Sequence, residues 1–282
     1  MKKFFMAVIA IMMTMSVSAQ FYIYLSNGEV LQADSISMVA PIPGTLYGEF
    51  SVSETTKVHF SKGNLQYVGT WQFAENQWDV FYDSQSENHR DLFGWGTGDA
   101  PNKESMDDSD YATFNEWGVN PITNGGNESN IWRTLTSDEW KYLFYERANA
   151  ALLFGFGTVN GIDGTIVLPD NWVLPTGASF ATSTEKGLSW NIYYYYNNNQ
   201  DNFSHNTYTA EQWSVMESAG AVFLPSTGFR KGMDVGNQPC GYYWSAKSKD
   251  TSYALSLFFN WNSLYPVDQQ RRNSGRSVRL VR

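Results

Sequence analysis

Short alternations of hydrophobic and polar residues recur along much of the chain and predict β-strands. The segments 241–246 and 253–259 both follow this pattern near the C-terminus. Alternation at every second residue is the spacing of a strand with one buried face. In the second segment it places Leu255, Leu257 and Phe259 on the predicted core face. We therefore expect the closing residues to contribute much of the protein's sheet.

Two segments break the alternation and carry the signature of a helix N-terminus. Thr136 is followed three residues later by Glu139, and Thr209 is followed in the same way by Gln212. Such pairs form a capping box, in which each side chain bonds a free backbone N–H of the other residue. Gly220 is the predicted end of the second helix. The predicted inward stripes are Trp140, Leu143, Phe144 and Ala148 in the first helix, and Trp213 and Met216 in the second.

The order of these elements predicts an α+β domain over residues 48–282, with two helices and a mostly antiparallel late sheet. Residues 83–130 are rich in Gly, Asn, Asp and Ser and are expected to form long surface loops. Residues 20–47 are predicted to be a short β-hairpin module and linker, because Asn27-Gly28 is a turn signal between two alternating stretches. The glycines of 155–161 are interpreted as turn residues.

Residues 1–19 have the pattern of a cleaved secretory signal peptide. A positive start is followed by the apolar run Phe4–Met13, and Val17 and Ala19 are the small residues before the predicted cleavage point. No later apolar run approaches the roughly 20 residues of a membrane-spanning helix. We therefore expect an exported protein, periplasmic, extracellular or on the bacterial cell surface, without a transmembrane anchor after cleavage.

The charge and the cysteine content exclude some partners and some bonds. The chain has a net charge of −9, and removal of the two signal-peptide lysines gives −9 − 2 = −11. Such a protein repels polyanions, so nucleic acid is not an expected partner. Cys240 is the sole cysteine, so no disulfide can form within the chain. It is interpreted as a small buried hydrophobic residue.

Several segments resemble a known group of bacterial domains. Residues 133–143, RTLTSDEWKYL, resemble the first-helix signature of bacterial C-type-lectin-like domains related to sulfatase-modifying (formylglycine-generating) proteins. Residues 221–232, AVFLPSTGFRKG, resemble the strand and turn that follow the second helix there. The closing stretch 241–282, with GYYWSAK, YALSLFF and RRNSGRSVRLVR, resembles the "major paralogous domain" group and retroelement-diversified variable proteins. The resemblance covers residues 48–282 and implies a C-type-lectin-like fold.

In that fold, residues of the closing sheet form a scaffold, and the residues between them project into a solvent-facing binding surface. The scaffold residues that the resemblance implies are Trp244, Leu255, Leu257, Gly275, Val278 and Leu280. The displayed, ligand-binding residues that it implies are Tyr242, Tyr243, Lys247, Lys249, Asp250, Tyr253, Asn260, Trp261, Asn262, Tyr265, Asp268, Gln270 and Arg272. Tyr and Trp suit such a surface because they offer large contact areas with few torsions to freeze.

The remaining aromatic and basic residues are assigned from strand alternation. In the run Tyr193–Tyr196, alternate side chains are expected to point to opposite faces. Trp140, Trp213 and Trp244 are interpreted as core. Arg279 is expected on a polar strand face or paired with an acid. Arg271 and Arg272 are expected in a loop, where they could meet an acidic partner.

Catalytic and metal-binding residues are less well supported than this surface. The sulfatase-modifying enzymes use a cysteine pair, which Cys240 alone cannot supply, and the three histidines lie far apart in sequence. No metal and no cofactor is predicted, because the histidines lack the spacing of a zinc site. Asp107, Asp108 and Asp110 are interpreted as a solvated acidic loop, with a calcium site as the open alternative. Whether two carboxylates converge in a cleft is a spatial question that the sequence leaves open.

The expected function is that of a secreted, non-catalytic ligand-binding protein, adhesin- or lectin-like, with an aromatic and polar C-terminal face. Its ligand would be a glycan, a peptide or a protein. The alternatives are a carbohydrate-active enzyme that uses a carboxylate pair, and a structural subunit of a surface assembly. The sequence contains no recognisable set of catalytic residues, which favours the binding protein, while enzyme activity stays open.

Overall fold

A computed structural model describes residues 42–82, 85–182, 202–236 and 239–282, together with the backbone of the short strands at 21–24, 30–33 and 193–194. The chain divides into two compact units, Met1–Pro41 and Ile42–Arg282. The predicted signal peptide, the Asn27-Gly28 turn, Tyr195 and Tyr196 lie outside the described residues.

The described part of the first unit is a β-hairpin. Strands β1 (Phe21–Tyr24) and β2 (Val30–Ala33) pair antiparallel, with Phe21 opposite Ala33. These are the two alternating stretches from which the hairpin was predicted. The second unit starts before residue 48, because Leu46 packs in its hydrophobic core.

The second unit contains the helices α1 (Ser137–Lys141) and α2 (Ala210–Ser218) and the remaining strands. In chain order the strands are β3 (Phe50–Ser51), β4 (Lys57–Val58), β5 (Leu65–Tyr67), β6 (Trp71–Phe73), β7 (Arg133–Thr134), β8 (Phe154–Val159), β9 (Ile162–Val167), β10 (Tyr193–Tyr194), β11 (Thr207–Tyr208), β12 (Val222–Pro225), β13 (Phe229–Lys231), β14 (Asp234–Gly236), β15 (Cys240–Ser248), β16 (Tyr253–Asn260), β17 (Ser263–Arg271), β18 (Ser274–Gly275) and β19 (Leu280–Val281).

The sheets confirm an α+β architecture with two helices and mostly antiparallel strands. Two sheets have four strands, in the orders β10-β17-β16-β15 and β11-β8-β9-β12, and a third has the order β14-β13-β18. Among the described strand pairs, that of β11 with β8 is parallel and the others are antiparallel. Between β6 and β7 the described residues run through loops and short 3-10 turns, as their composition predicted, but the expectation that they lie on the surface is wrong. Residues 90–98 are buried, and Phe93 and Trp95 pack in a hydrophobic cluster.

Both predicted capping boxes are present. The Thr136 hydroxyl accepts from the Glu139 amide at 3.2 Å, and the Glu139 carboxylate accepts from the Thr136 amide at 2.8 Å. Thr209 and Gln212 repeat the exchange at 3.3 and 2.9 Å. Beyond α2, Gly220 has a φ of +100°, a conformation that favours glycine. The sequence therefore located both helix starts and the stop of α2.

The inward stripe of the first helix is shorter than predicted. Trp140, Leu143 and Phe144 are fully buried, but Ala148 is exposed. The regular helix gives way to a π-helical turn over Tyr142–Glu146, and Arg147 is already extended. Since Ala148 lies beyond the helix end, the 3.6-residue spacing does not apply to it.

The core is built largely from aromatic rings. Trp140 packs on Phe60 and Phe144 at centroid distances of 6.0 and 6.3 Å. Trp213 and Trp244 are buried in two further hydrophobic clusters. All three tryptophans interpreted as core are at most 1% exposed, which confirms that interpretation.

Residues 155–161 form a hairpin arm, which the sequence analysis did not predict. Gly155 and Gly157 lie inside β8, opposite Ile166 and Gly164 of β9. A Cβ at Gly157 would come within 2.7 Å of the Asn206 carbonyl oxygen, so this glycine permits close backbone packing. Of the glycines in this segment, Gly161 has the positive φ of a turn residue.

The last residues also depart from expectation. Arg279 is 1% exposed and donates to Asn64 at 3.4 Å and to Gln77 at 2.8 Å, both neutral side chains. Its chain neighbours Val278 and Leu280 are buried as well, so both faces of this segment are enclosed. Arg279 is therefore not on a polar strand face, as was expected. Arg271 ends strand β17, which was expected to be loop.

Candidate functional site

The sheet of β15, β16 and β17 has one face in the core and one face partly open to solvent. Tyr243, Leu257 and Leu264 lie on the core face and are fully buried. The register pairs Tyr242 with Phe258 and Phe258 with Tyr265 on the opposite face, and these three rings are half-buried. We call Tyr242, Phe258 and Tyr265 the aromatic row.

The rings of the aromatic row are stacked across the three strands. Tyr242 and Phe258 lie 4.8 Å apart between centroids, with an interplanar angle of 36°. Phe258 and Tyr265 are 5.8 Å apart with an angle of 29°. The first distance matches the spacing between neighbouring strands, so those two rings face each other and turn their edges away from the sheet.

A guanidinium group extends the row beyond β15. The Arg276 carbon Cζ lies 3.7 Å from the centroid of Tyr242 and 5.2 Å from that of Phe229. Both distances are within the range of a cation–π contact. Arg276 is 6% exposed, and its burial lowers the pKa of the guanidinium to about 10, despite the opposing influence of Tyr242 and Cys240.

Polar side chains lie beside the row on β17. Asp268 and Gln270 are half-buried, and the Gln270 amide donates to the Asp268 carboxylate at 2.6 Å. The side-chain oxygen Oε1 of Gln270 accepts from Nη2 of Arg276. These contacts form a chain from carboxylate through amide to guanidinium, next to Tyr242.

Burial also affects the two groups at the start of β15. It raises the pKa of Tyr242 to about 12, and it raises the pKa of the Cys240 thiol. Cys240 is buried and free, as predicted. Both groups are therefore neutral at physiological pH, and Arg276 is the cation beside the row.

Tyr243 was expected to be displayed, and the structure shows that this is wrong. It is fully buried between the sheet and Trp140. Its hydroxyl donates to the Pro225 carbonyl at 2.8 Å and accepts from Asn64 at 3.2 Å. Consecutive residues of a strand point to opposite faces, so Tyr242 and Tyr243 could not both be displayed.

Arg272 was also expected to be displayed, and it too is buried, at 6% exposure. Nη1 donates to the carbonyls of Tyr111 and Ala112, both at 3.2 Å, and the guanidinium lies 4.6 Å from the ring of Trp95. It also donates to the Asp250 carbonyl. Arg272 thus fastens the long loop to the end of the sheet.

Leu255 was expected in the scaffold but is only half-buried. Ala254 and Ser256 are buried on one face of β16, whereas Leu257 and Phe259 are buried on the other. The buried face changes where the register with β17 shifts, between Ser256 and Phe258. A bulge of this kind twists a strand and re-aims its side chains. The other implied scaffold residues are buried, namely Trp244, Leu257, Gly275, Val278 and Leu280.

Four predicted site residues lie at or next to the β15–β16 connection and not on the row, namely Lys247, Lys249, Asp250 and Tyr253. Asp250 accepts from the amides of Ser252 and Tyr253 at 2.8 Å each, and these bonds lower the pKa of its carboxyl. Lys247 pairs with Asp138 at 3.1 Å, and Lys249 donates to Gln269. These groups shape the hairpin end.

Three more predicted site residues form the β16–β17 turn. The side-chain oxygen Oδ1 of Asn260 accepts from the amides of Asn262 and Ser263 at 3.0 and 2.9 Å, and from the Ser263 hydroxyl at 3.0 Å. Trp261 is 39% exposed. The eight residues of β16 separate this turn from the other hairpin end by about 25 Å. Apart from the buried Tyr243 and Arg272, the predicted set therefore occupies three places. One of these is the aromatic row and its polar neighbours, with Tyr242, Tyr265, Asp268 and Gln270.

The row contains residues that the sequence analysis missed. Phe258 was not assigned to the surface, although its position between the predicted core residues Leu257 and Phe259 was the available signal. Arg276 and Phe229 come from other strands or loops, so no local pattern links them to Tyr242. Only the three-dimensional arrangement reveals them.

The acidic loop is more structured than expected. Asp107 caps a short turn by accepting from Ser109 at 2.9 Å. Asp108 is 8% exposed and accepts from Arg271 at 2.6 Å and from the Asn273 amide at 3.1 Å. Asp108 is thus part of the fold and not a solvated side chain. Within the described ranges, no group of three His, Cys, Asp or Glu side chains is placed to hold a metal ion.

A raised carboxyl pKa is found at Asp91, away from the row. Burial raises it, while bonds from Phe81 and Gln85 act in the opposite direction. The Phe81 amide donates to Asp91 at 2.8 Å, and Gln85 also accepts from the Leu92 amide at 3.2 Å. The Asp91 carboxylate is buried and accepts hydrogen bonds within the loop, so we attribute its raised pKa to its structural role.

The comparisons with known proteins add no relative. No protein-family model matches the chain, and neither does any curated protein or solved structure. In the part of the chain that the structure describes, none of the helices has the length and apolar character needed to cross a bilayer.

Proposed function

We propose that this protein is an exported, non-catalytic ligand-binding protein, adhesin- or lectin-like, and that the aromatic row is its contact surface. The observation that carries the proposal is the half-exposed stack of Tyr242, Phe258 and Tyr265 on the face opposite the core. Half-exposed aromatic residues next to polar ones are typical of contact surfaces.

The row is suited to binding because its rings are already ordered. Each ring is fixed by a neighbour on the next strand, and Arg276 packs against Tyr242. A ligand therefore freezes few side-chain torsions when it binds, which reduces the entropic cost. Asp268 and Gln270 supply hydrogen-bonding groups beside the rings.

The fold and the localisation are part of the same proposal. A C-type-lectin-like domain is supported by the two capped helices and by the late antiparallel sheet that presents the row. Export is supported by the signal-peptide pattern of residues 1–19.

The test is to screen residues 20–282 against glycan and protein arrays and then measure the affinity of each hit for variants. Phe258→Ala removes the middle ring and should weaken binding about 30-fold, which corresponds to about 2 kcal/mol for a central aromatic contact. Tyr47→Ala is the control, since Tyr47 is an 80% exposed aromatic residue outside the row. Hits that lose no affinity in Phe258→Ala would contradict the proposal.

A further inference from the structure

Arg276 is held rigidly at the end of the aromatic row. Its backbone exchanges two hydrogen bonds with Phe93, both at 2.9 Å. Its guanidinium lies between Tyr242 and Phe229, and the residue is 6% exposed. The group therefore has a fixed position at the site and does not sample solvent freely.

The hydrogen-bonding capacity of this guanidinium is largely unused. A guanidinium carries five N–H donors. Nη2 donates to Gln270, but among the described residues Nε and Nη1 have no hydrogen-bond partner. No carboxylate oxygen of the described residues lies within 4.0 Å of the group. A buried cation without an anion and with unpaired donors is costly, so its presence calls for a physical reason.

Other buried arginines are better satisfied. Arg147 donates to two carbonyls and to Asp170, and Arg230 donates to three carbonyls. Arg90 has unpaired nitrogens as well, but it forms an ion pair with Glu104. Arg276 and Arg279 combine both deficits, unpaired donors and no carboxylate, but Arg279 lacks a partner only at Nε and lies in the core, whereas Arg276 lacks partners at Nε and Nη1 and borders the aromatic row.

None of the described groups in direct contact with Arg276 carries a negative charge. The Cys240 thiol and the Tyr242 hydroxyl are neutral because burial raises the pKa of each. Asp268 is the nearest acid on β17, but the Gln270 side chain lies between them and bonds to both. The unpaired nitrogens are below the surface, and the half-exposed Gln270 side chain bonds the third nitrogen, Nη2, of the same guanidinium.

The ring edges favour the same kind of ligand group. Tyr242 and Phe258 face each other, so they present their edges, and an aromatic edge carries partial positive charge. Arg276 adds a positive charge at the end of the row, and the nearby Asp268 carboxylate already accepts from Gln270. Electronegative oxygen atoms are therefore favoured there.

We propose that Arg276 is the specificity residue of the site and binds a carboxylate of the ligand, which takes the place of the Gln270 carbonyl. The inference rests on the proposed binding function and adds that the ligand is acidic. Arginine suits this role because its fork can donate two parallel bonds to a carboxylate.

The experiment follows the Nε–H signal of Arg276 in ¹⁵N spectra of residues 20–282, assigned by its loss in Arg276→Lys. Two matched pairs of probes separate the sources of the carboxylate. Glucuronate is compared with its methyl ester, and N-acetyltyrosine with N-acetyltyrosine amide. At least one acid should shift the signal saturably, while its neutral partner should not.

Variants link the shift to the guanidinium fork. Arg276→Lys keeps the charge but loses the fork, and should weaken binding of the acid about tenfold. Gln270→Ala removes the side chain that accepts from Nη2 and should bind the acid at least as well as the wild type. Lys231→Met removes an exposed cation from strand β13 and is the control for net charge, with unchanged affinity expected.

Two results would overturn the inference. One is a saturable shift of equal size with an acid and its neutral partner, which would leave the binding function standing. The other is no saturable shift with either acid. The binding function itself is tested separately by Phe258→Ala on array hits, so the two failures are distinguishable.

Discussion

Tyr242 and Tyr243 are neighbours in the chain and lie on opposite faces of β15. The hydroxyl of Tyr243 donates to the Pro225 carbonyl in the core, whereas the ring of Tyr242 stacks between Arg276 and Phe258 on the open face. Two identical side chains therefore lie in different surroundings, one in the core and one on the open face.

Removing the two hydroxyl groups should distinguish these surroundings. Tyr243→Phe should lower the free energy of unfolding by about 1–3 kcal/mol, because it leaves the buried Pro225 carbonyl and Asn64 amide without their partner. Tyr242→Phe should change it by only about 0.5 kcal/mol, as for most half-exposed positions. Urea unfolding of both variants measures the difference, and equal losses would contradict the assignment of the faces.

Much of the local structure could be predicted from the sequence. The capping boxes located both helix starts because they depend on residues three positions apart. Alternation located β15 and β16, and it placed Leu257 and Phe259 correctly in the core. These features are local, so the chain itself carries the signal.

The parts that were missed depend on distant contacts. Strand β17 contains Pro266, a residue that usually argues against a strand, and it is accommodated next to the register shift. The change of the buried face along β16 follows from that shift, and Leu255 was misplaced for this reason. The burial of Arg272 depends on Trp95 and on the loop carbonyls, which lie more than 150 positions away in the chain.

Gly241 should be required by the ring opposite it on β16. A Cβ at this position would lie 2.1 Å from Cζ of Phe259, closer than atoms can approach. Gly241→Ala should therefore lower the free energy of unfolding by about 1–3 kcal/mol through overpacking. A smaller side chain in Phe259→Leu should relieve the clash, so a double-mutant cycle should show a coupling of about 0.5–3 kcal/mol. Additive effects of the two substitutions would show that the ring is not the cause.

The β16–β17 turn should depend on Asn260 more than on Trp261. The Asn260 side chain accepts three hydrogen bonds within the turn, so Asn260→Ala should lower the free energy of unfolding by about 1–2 kcal/mol. Trp261 is partly exposed, and Trp261→Ala should change it by about 0.5 kcal/mol or less. Thermal unfolding of the two variants gives the comparison, and a larger loss for Trp261→Ala would mean that its ring is part of the core.

Asp170 should make the fold sensitive to acid. Burial alone would raise the pKa of its carboxyl, but hydrogen bonds from Ser51 and the charge of Arg147 outweigh burial and lower the pKa below the ordinary 3.8. The Ser51 hydroxyl donates at 2.6 Å and Arg147 at 3.1 Å. Because the folded pKa lies below the unfolded one, the stabilisation is complete above about pH 5 and is lost as the pH falls through the folded pKa.

The measurement is the free energy of unfolding in urea between pH 7 and pH 3. Asp170→Asn should be less stable than the wild type at pH 7, because it leaves buried Arg147 without its anion, and its stability should fall less steeply towards pH 3. Ser51→Ala removes one of the bonds that lower the pKa, so its pH dependence should lie between those of the wild type and Asp170→Asn. If Asp170→Asn lost stability as steeply as the wild type, other carboxylates would dominate the response to acid.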